Sequence, residues 1–162
     1  MKKIKIFCDG SVNPQKKIGY GAYLLIEDDK INIKVLKEKI VLKKFEDTSS
    51  TKLEMETFLW AINDLELSNA IIEIYTDCQN IIGLSDRRKK LEGNDYKSSK
   101  GKLMNNHDLY KLFFEKLDNL NLSFIKVKGH KKNSLKDEID EIFNLVDKAS
   151  RNALREDLAN LK

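Results

Sequence analysis

The spacing of apolar residues changes period along this chain, and the order of those changes leaves few folds open. From Lys2 to Cys8, Ile4, Ile6 and Cys8 alternate with Lys3, Lys5 and Phe7, the period of a strand. Gly19 to Glu27 (GYGAYLLIE) and Ile31 to Lys43, with Ile33, Val35, Ile40 and Leu42, are predicted as second and third strands around a turn at Asp28-Asp29-Lys30. At Leu53 the period becomes helical, through Met55, Phe58, Leu59, Ile62 and Leu65, after the cap-forming run Thr48-Ser49-Ser50-Thr51. Ala70 to Thr76 (AIIEIYT) is strand-like again, and a helix starts near Cys78. Asp108 to Leu117 reads as a further helix, Leu122 to Lys128 as a fifth strand. A last helix opens near Ser134 with the stripe Ile139, Ile142, Phe143 and Val146. The order βββαβααβα predicts an α/β fold with a five-stranded mixed sheet. Strands 1–3 are antiparallel, strands 4 and 5 parallel, and helices flank both faces; strands 1 and 4 can lie side by side as a parallel pair.

Composition narrows the class. Of 162 residues 41% are hydrophobic and 35% charged, with one proline and no linker-like tract, which predicts a single domain over 1–162. Lys5 and Asp9 break the first apolar run before it reaches signal-peptide length, and no later run is long enough to span a membrane. Two cysteines, Cys8 and Cys78, without a secretion signal predict a cytoplasmic protein. The net charge is +4, and residues Asp86 to Lys102 hold seven basic groups against three acids, the whole of that excess. Such a segment is either a solvated loop or an attractor of phosphates.

The acids carry the chemistry. Strand 1 runs into Asp9 in IFCDGS, and strand 4 runs into Asp77. Asp-Gly is a common turn dipeptide and Asp77 could cap the next helix, so each acid has a local explanation. Side by side on parallel strands, however, the two carboxylates would sit about 5 Å apart at the sheet end where α/β proteins bind ligands. Like charges that close raise each other's pKa unless a cation lies between them. In the first long helix Glu54 aligns with Phe58, Ala61 and Leu65 on the face toward the sheet, whereas Glu56 groups with Lys52, Asn63 and Glu66 on a solvated face. Thr51-Lys52-Leu53-Glu54 is also a capping-box pattern. In the last helix Asp147 lies at the edge of the dry face, and Asp140 is the alternative two turns earlier.

Five fragments in order, DGS, KLEM, YTDCQ, VKGH and an acid in the final helix, resemble type 1 ribonuclease H over nearly the whole chain. The resemblance implies an RNase H-like fold and an endonuclease that cuts the RNA strand of RNA–DNA hybrids, leaving 3′-hydroxyl and 5′-phosphate ends. It implies Asp9, Glu54, Asp77 and Asp147 as ligands of two Mg²⁺ ions, with Mn²⁺ as a substitute. Asp9 would be shared, Glu54 and Asp77 on one ion and Asp147 on the other. His130, after VKG, corresponds to a histidine that assists proton transfer or product departure. Hybrid contacts are expected from Asn13, Ser50, Thr51 and Gln79 and from the basic Arg87, Arg88, Lys89 and Lys90. Two departures stand out: VNPQKKI replaces a glycine-rich turn after DGS, and Ser50-Thr51 replaces a longer Asn pair. A monomer without membrane attachment is expected. A binding module without turnover and a DNA-directed nuclease of the same fold are the competing readings.

Overall fold

The computed structural model describes residues 1–27, 31–128 and 137–161. Five strands form one sheet in the order β3-β2-β1-β4-β5. These are β1 (Lys2–Asn13), β2 (Ile18–Ile26), β3 (Val41–Phe45), β4 (Ala70–Thr76) and β5 (Asn121–Lys126). β1, β2 and β3 pair antiparallel, while β4 pairs parallel with both β1 and β5. The helices are α1 (Ile33–Leu36), α2 (Ser50–Asp64), α3 (Gln79–Ile82), α4 (Arg88–Gly93), α5 (His107–Asn119) and α6 (Glu138–Asn160).

The two-residue period of β1 divides its side chains between two cores. Ile4, Ile6 and Cys8 pack with Met55, Phe58 and Ile62 of α2 and Phe113 of α5; Phe7 packs with Ile142, Phe143 and Val146 of α6. Phe58, Phe113 and Phe124 form a ring cluster with centroids 5.1 to 5.5 Å apart. A fully buried apolar side chain such as Phe58 or Phe113 contributes about 1.5–3 kcal/mol, which is what holds helices to both faces.

Three sequence expectations change. β1 does not end at Cys8: it runs on to Asn13, so Asp9 lies inside the strand, paired with Ala22 of β2. Gly10 therefore serves no turn. A Cβ there would lie 3.0 Å from Leu53 Cδ2, and one on Gly19 only 2.7 Å from the same atom, so bare backbone lets α2 settle onto β1 and β2. The predicted third strand over 31–43 is mostly helical: the Asn32 side chain accepts the Lys34 N–H at 3.1 Å, α1 and a 3₁₀ turn (Lys37–Lys39) follow, and β3 begins only at Val41. The apolar alternation there is misleading, because Leu36 is the buried member and Val35 is exposed. Finally, α6 starts at Glu138 under a reciprocal cap between Asp137 and Asp140, while Ser134 lies outside the described residues.

Candidate active site

β4 stops at Thr76, so β1 beyond its last pair with β4, Phe7↔Tyr75, has a free edge. Extending that register by two residues sets Asp9 opposite Asp77. Asp9 projects toward α6, the same side as Phe7, and is 4% exposed. α2 lies on the opposite face and brings Glu54 over the vacated edge. Its N-cap is Ser49, whose hydroxyl accepts the Lys52 N–H, so Thr51 is already helical and Glu54 does not close the predicted capping box. Asp9, Glu54 and Asp77 each place a carboxylate oxygen within 4.8 Å of the others.

The fourth acid arrives from α6. Ser11 and the buried Ser150 share a hydrogen bond of 3.1 Å that pins α6 to β1, and the Ser150 hydroxyl also donates to the Asp147 carbonyl at 3.0 Å. Asp147 comes close enough to help raise the Asp9 carboxyl above the usual range. Its Oδ2 accepts from Arg151 at 2.6 Å. Asp140, the alternative acid, is occupied in the α6 cap.

Burial pushes the Asp9 carboxyl well above the usual carboxylate range, and the charges of Asp77, Glu54 and Asp147 push it further. Burial and Asp77 likewise raise Glu54 to about 8. The neighbouring thiols of Cys8 and Cys78 move up as well, chiefly by burial. Negative groups held together against this cost form a pocket suited to a hard divalent cation: the donors are all carboxylate oxygens, and a positive ion relieves the repulsion.

The remaining predicted residues lie on several separate elements. Asn13 ends β1, and its Oδ1 accepts the Lys16 N–H at 3.0 Å. Ser50 and Thr51 are exposed on the first turn of α2. Gln79 opens α3 and accepts from Lys126 Nζ at 2.6 Å. The basic run is not uniform. Arg88 grips Asp118 through two bonds of 2.7 and 2.8 Å, reaches Glu92 at 2.7 Å and lies over the Phe114 ring. Arg87 bonds the Asn80 carbonyl at 3.0 Å, whereas Lys89 and Lys90 are exposed. Tyr96, the one aromatic of that segment, is buried under Lys111. His130 lies outside the described residues.

Sequence reasoning missed one feature beside the site. Glu56 is only partly exposed and not simply solvated: its Oε1 accepts the hydroxyl of the buried Thr48 at 2.6 Å. Thr48 precedes the helix, so no helical spacing links the two, and periodicity carries no signal for the pair.

The sequence profile of the RNase H family matches residues 1–153. The ribonuclease H of Clostridium botulinum is 28% identical over 150 residues, covering 89% of this chain and 95% of that protein. That of Caldicellulosiruptor saccharolyticus is 29% identical over 154 residues, covering 93% and 100%. That of Haemophilus influenzae is 28% identical over 164 residues, covering 99% and 98%. Among solved structures, a foamy viral protease-reverse transcriptase in complex with double-stranded DNA superposes with a TM-score of 0.60 at 11% identity, covering 91% of this chain and 92% of that one. That last likeness concerns fold alone.

Proposed function

The chain belongs to the RNase H family, and from that premise we propose that it is an endonuclease that hydrolyses the RNA strand of RNA–DNA hybrids through two bound Mg²⁺ ions. The observation that carries the reading is the cluster of Asp9, Glu54 and Asp77 from β1, α2 and the end of β4, with Asp147 of α6 near enough to perturb Asp9. Asp9, within 4.8 Å of Glu54 and Asp77 and influenced by Asp147 as well, is the carboxylate that would be shared between two ions. Glu54 and Asp77 complete one set and Asp147 the other. Bound there, the ions would supply an activated water and stabilise the leaving 3′ oxygen, giving 5′-phosphate and 3′-hydroxyl ends.

The protein's own part is to hold these oxygens still. The Ser11–Ser150 bond fixes α6 against β1, and the close seat of α2 on the glycine backbone fixes Glu54. Arg151 on Asp147 keeps that side chain oriented. His130, from sequence alone, is the candidate for moving a proton to the product. Asn13, Ser50, Thr51 and Gln79 would read the RNA strand near the pocket, with Arg87, Lys89 and Lys90 adding salt-sensitive affinity. We place this activity in a monomeric, single-domain cytoplasmic protein; among the described residues no helix is long and apolar enough to cross a membrane.

The test is cleavage of labelled hybrid, duplex DNA and duplex RNA with Mg²⁺, Mn²⁺ or chelator. Cutting of the hybrid alone, restored by either metal and stopped by chelator, supports the reading. Binding without cutting, or cutting of duplex DNA, overturns it.

A further inference from the structure

Two segments meet beside the start of α2: the β1–β2 turn at residues 13–17 and the residues leading into the helix. The sequence offers no reason for them to be coupled, yet one buried threonine joins them. The Thr48 N–H donates to the Lys17 carbonyl at 3.0 Å, and the Thr48 hydroxyl donates to Glu56 Oε1 at 2.6 Å. Thr48 is 4% exposed, so losing either bond would leave a buried polar group of Thr48 without that partner. Lys17 adopts a left-handed backbone with φ of 56°, and its N–H closes the turn onto the Asn13 carbonyl at 2.9 Å. Asn13 in turn accepts the Lys16 N–H through its side chain. On the helix side, Lys52 Nζ donates to the Asp47 carbonyl at 3.0 Å, and Asp47 too is left-handed with φ of 50°.

We propose that Glu56 is a positioning residue: through Thr48 it holds the turn at 13–17 against the start of α2, so that Asn13, Ser50 and Thr51 meet the nucleic acid as one pre-set edge. Glu56 sits two residues from Glu54 on the same helix but outside the acid pocket, so one turn of α2 serves two tasks. This chain has Val12-Asn13-Pro14-Gln15 after Ser11 and short hydroxyl side chains at 50 and 51. Short side chains bind well only when the backbone beneath them is already placed, because ordering it at the moment of binding would consume the affinity. The inference rests on the hybrid reading above for its ligand, and on the hydrogen bonds for the clamp.

The experiment separates the two. Thr48→Val and Glu56→Ala are compared with Glu56→Gln, which keeps an acceptor oxygen, with thermal melts confirming that each folds. Amide hydrogen exchange at residues 17 and 48 should accelerate about tenfold in the first two variants and stay near wild type in the third. KM for the hybrid should rise about fivefold to tenfold in the first two, kcat should stay within about twofold, and Glu56→Gln should restore KM. Unchanged exchange overturns the clamp. Faster exchange with unchanged KM overturns its role in binding, and a fall in kcat at constant KM would mean that Glu56 acts on Glu54 instead. A wild-type protein that cuts no hybrid overturns the functional reading, and exchange then decides the clamp alone.

Discussion

In the acid pocket, Asp9, Glu54 and Asp77 hold acidic groups within 4.8 Å of one another, whereas residues 86–102 spread their cations over a 3₁₀ turn, α4 and the loop after it, and Arg88 is already matched by Asp118 and Glu92. The first region is assembled by the sheet, from residues far apart in sequence; the second is local. The difference teaches where a function-bearing charge is to be sought. A charge held at a cost among its own kind calls for an outside partner, while a charge neutralised inside the fold has already been used for structure. The sharpest break of this comparison is Asp77→Asn or Asp9→Asn. Each removes a negative oxygen without changing shape, so hybrid cleavage should fall by at least about a thousandfold. If the repulsion is real, Asp9→Asn should also melt at a higher temperature than wild type in chelator and gain less from added Mg²⁺. A variant that keeps wild-type turnover, or that melts lower in chelator, contradicts the pocket's assignment.

Acidity gives the next largest effect. Glu54 is raised from an ordinary 4.5 to about 8 in the folded protein, chiefly by burial and then by Asp77. Between those two values the folded state holds a proton that the unfolded chain has released. The resulting stability is complete below about pH 4.5 and is lost as pH rises through about 8. Asp9, raised in the same direction, adds to the trend. Metal-free protein should therefore lose on the order of a few kcal/mol between pH 5 and pH 8 in denaturant melts, and saturating Mg²⁺ should remove most of that slope. A metal-free stability that climbs over this window would mean that cations within the fold already balance the acids.

Much of this arrangement is legible in the sequence, for a physical reason. The sheet and its helices follow from periodicity, and Asp77, Glu54 and Asp147 follow from their place on strand ends and helix faces. Asp9 is reached for an incomplete reason: its strand passes through it, and Gly10 is there to seat Leu53. Residues 31–43 mislead because a few apolar residues can alternate by chance, and a single side-chain cap on Lys34 is enough to start a helix instead. The Thr48–Glu56 bond and the grip of Arg88 on Asp118 cannot be read at all, since both join residues whose proximity exists only once the chain has folded.

Within the basic segment itself the comparison predicts a smaller and finer split. Arg88 lies across Phe114 and is bound on both sides, so it fastens the segment to α5; Lys89 and Lys90 point into solvent and have no such task. Arg88→Ala should lower the melting temperature while leaving the salt dependence of hybrid binding nearly intact. Lys89→Ala with Lys90→Ala should do the reverse, leaving the melt alone and flattening the plot of log affinity against log salt by roughly 0.9 for each phosphate no longer neutralised. Measuring both quantities on both variants is decisive because the two roles move different axes. If Arg88→Ala flattens the salt slope as much as the lysine pair does, its guanidinium leaves Asp118 to meet phosphate, and the distinction between structural and functional charge fails at that residue.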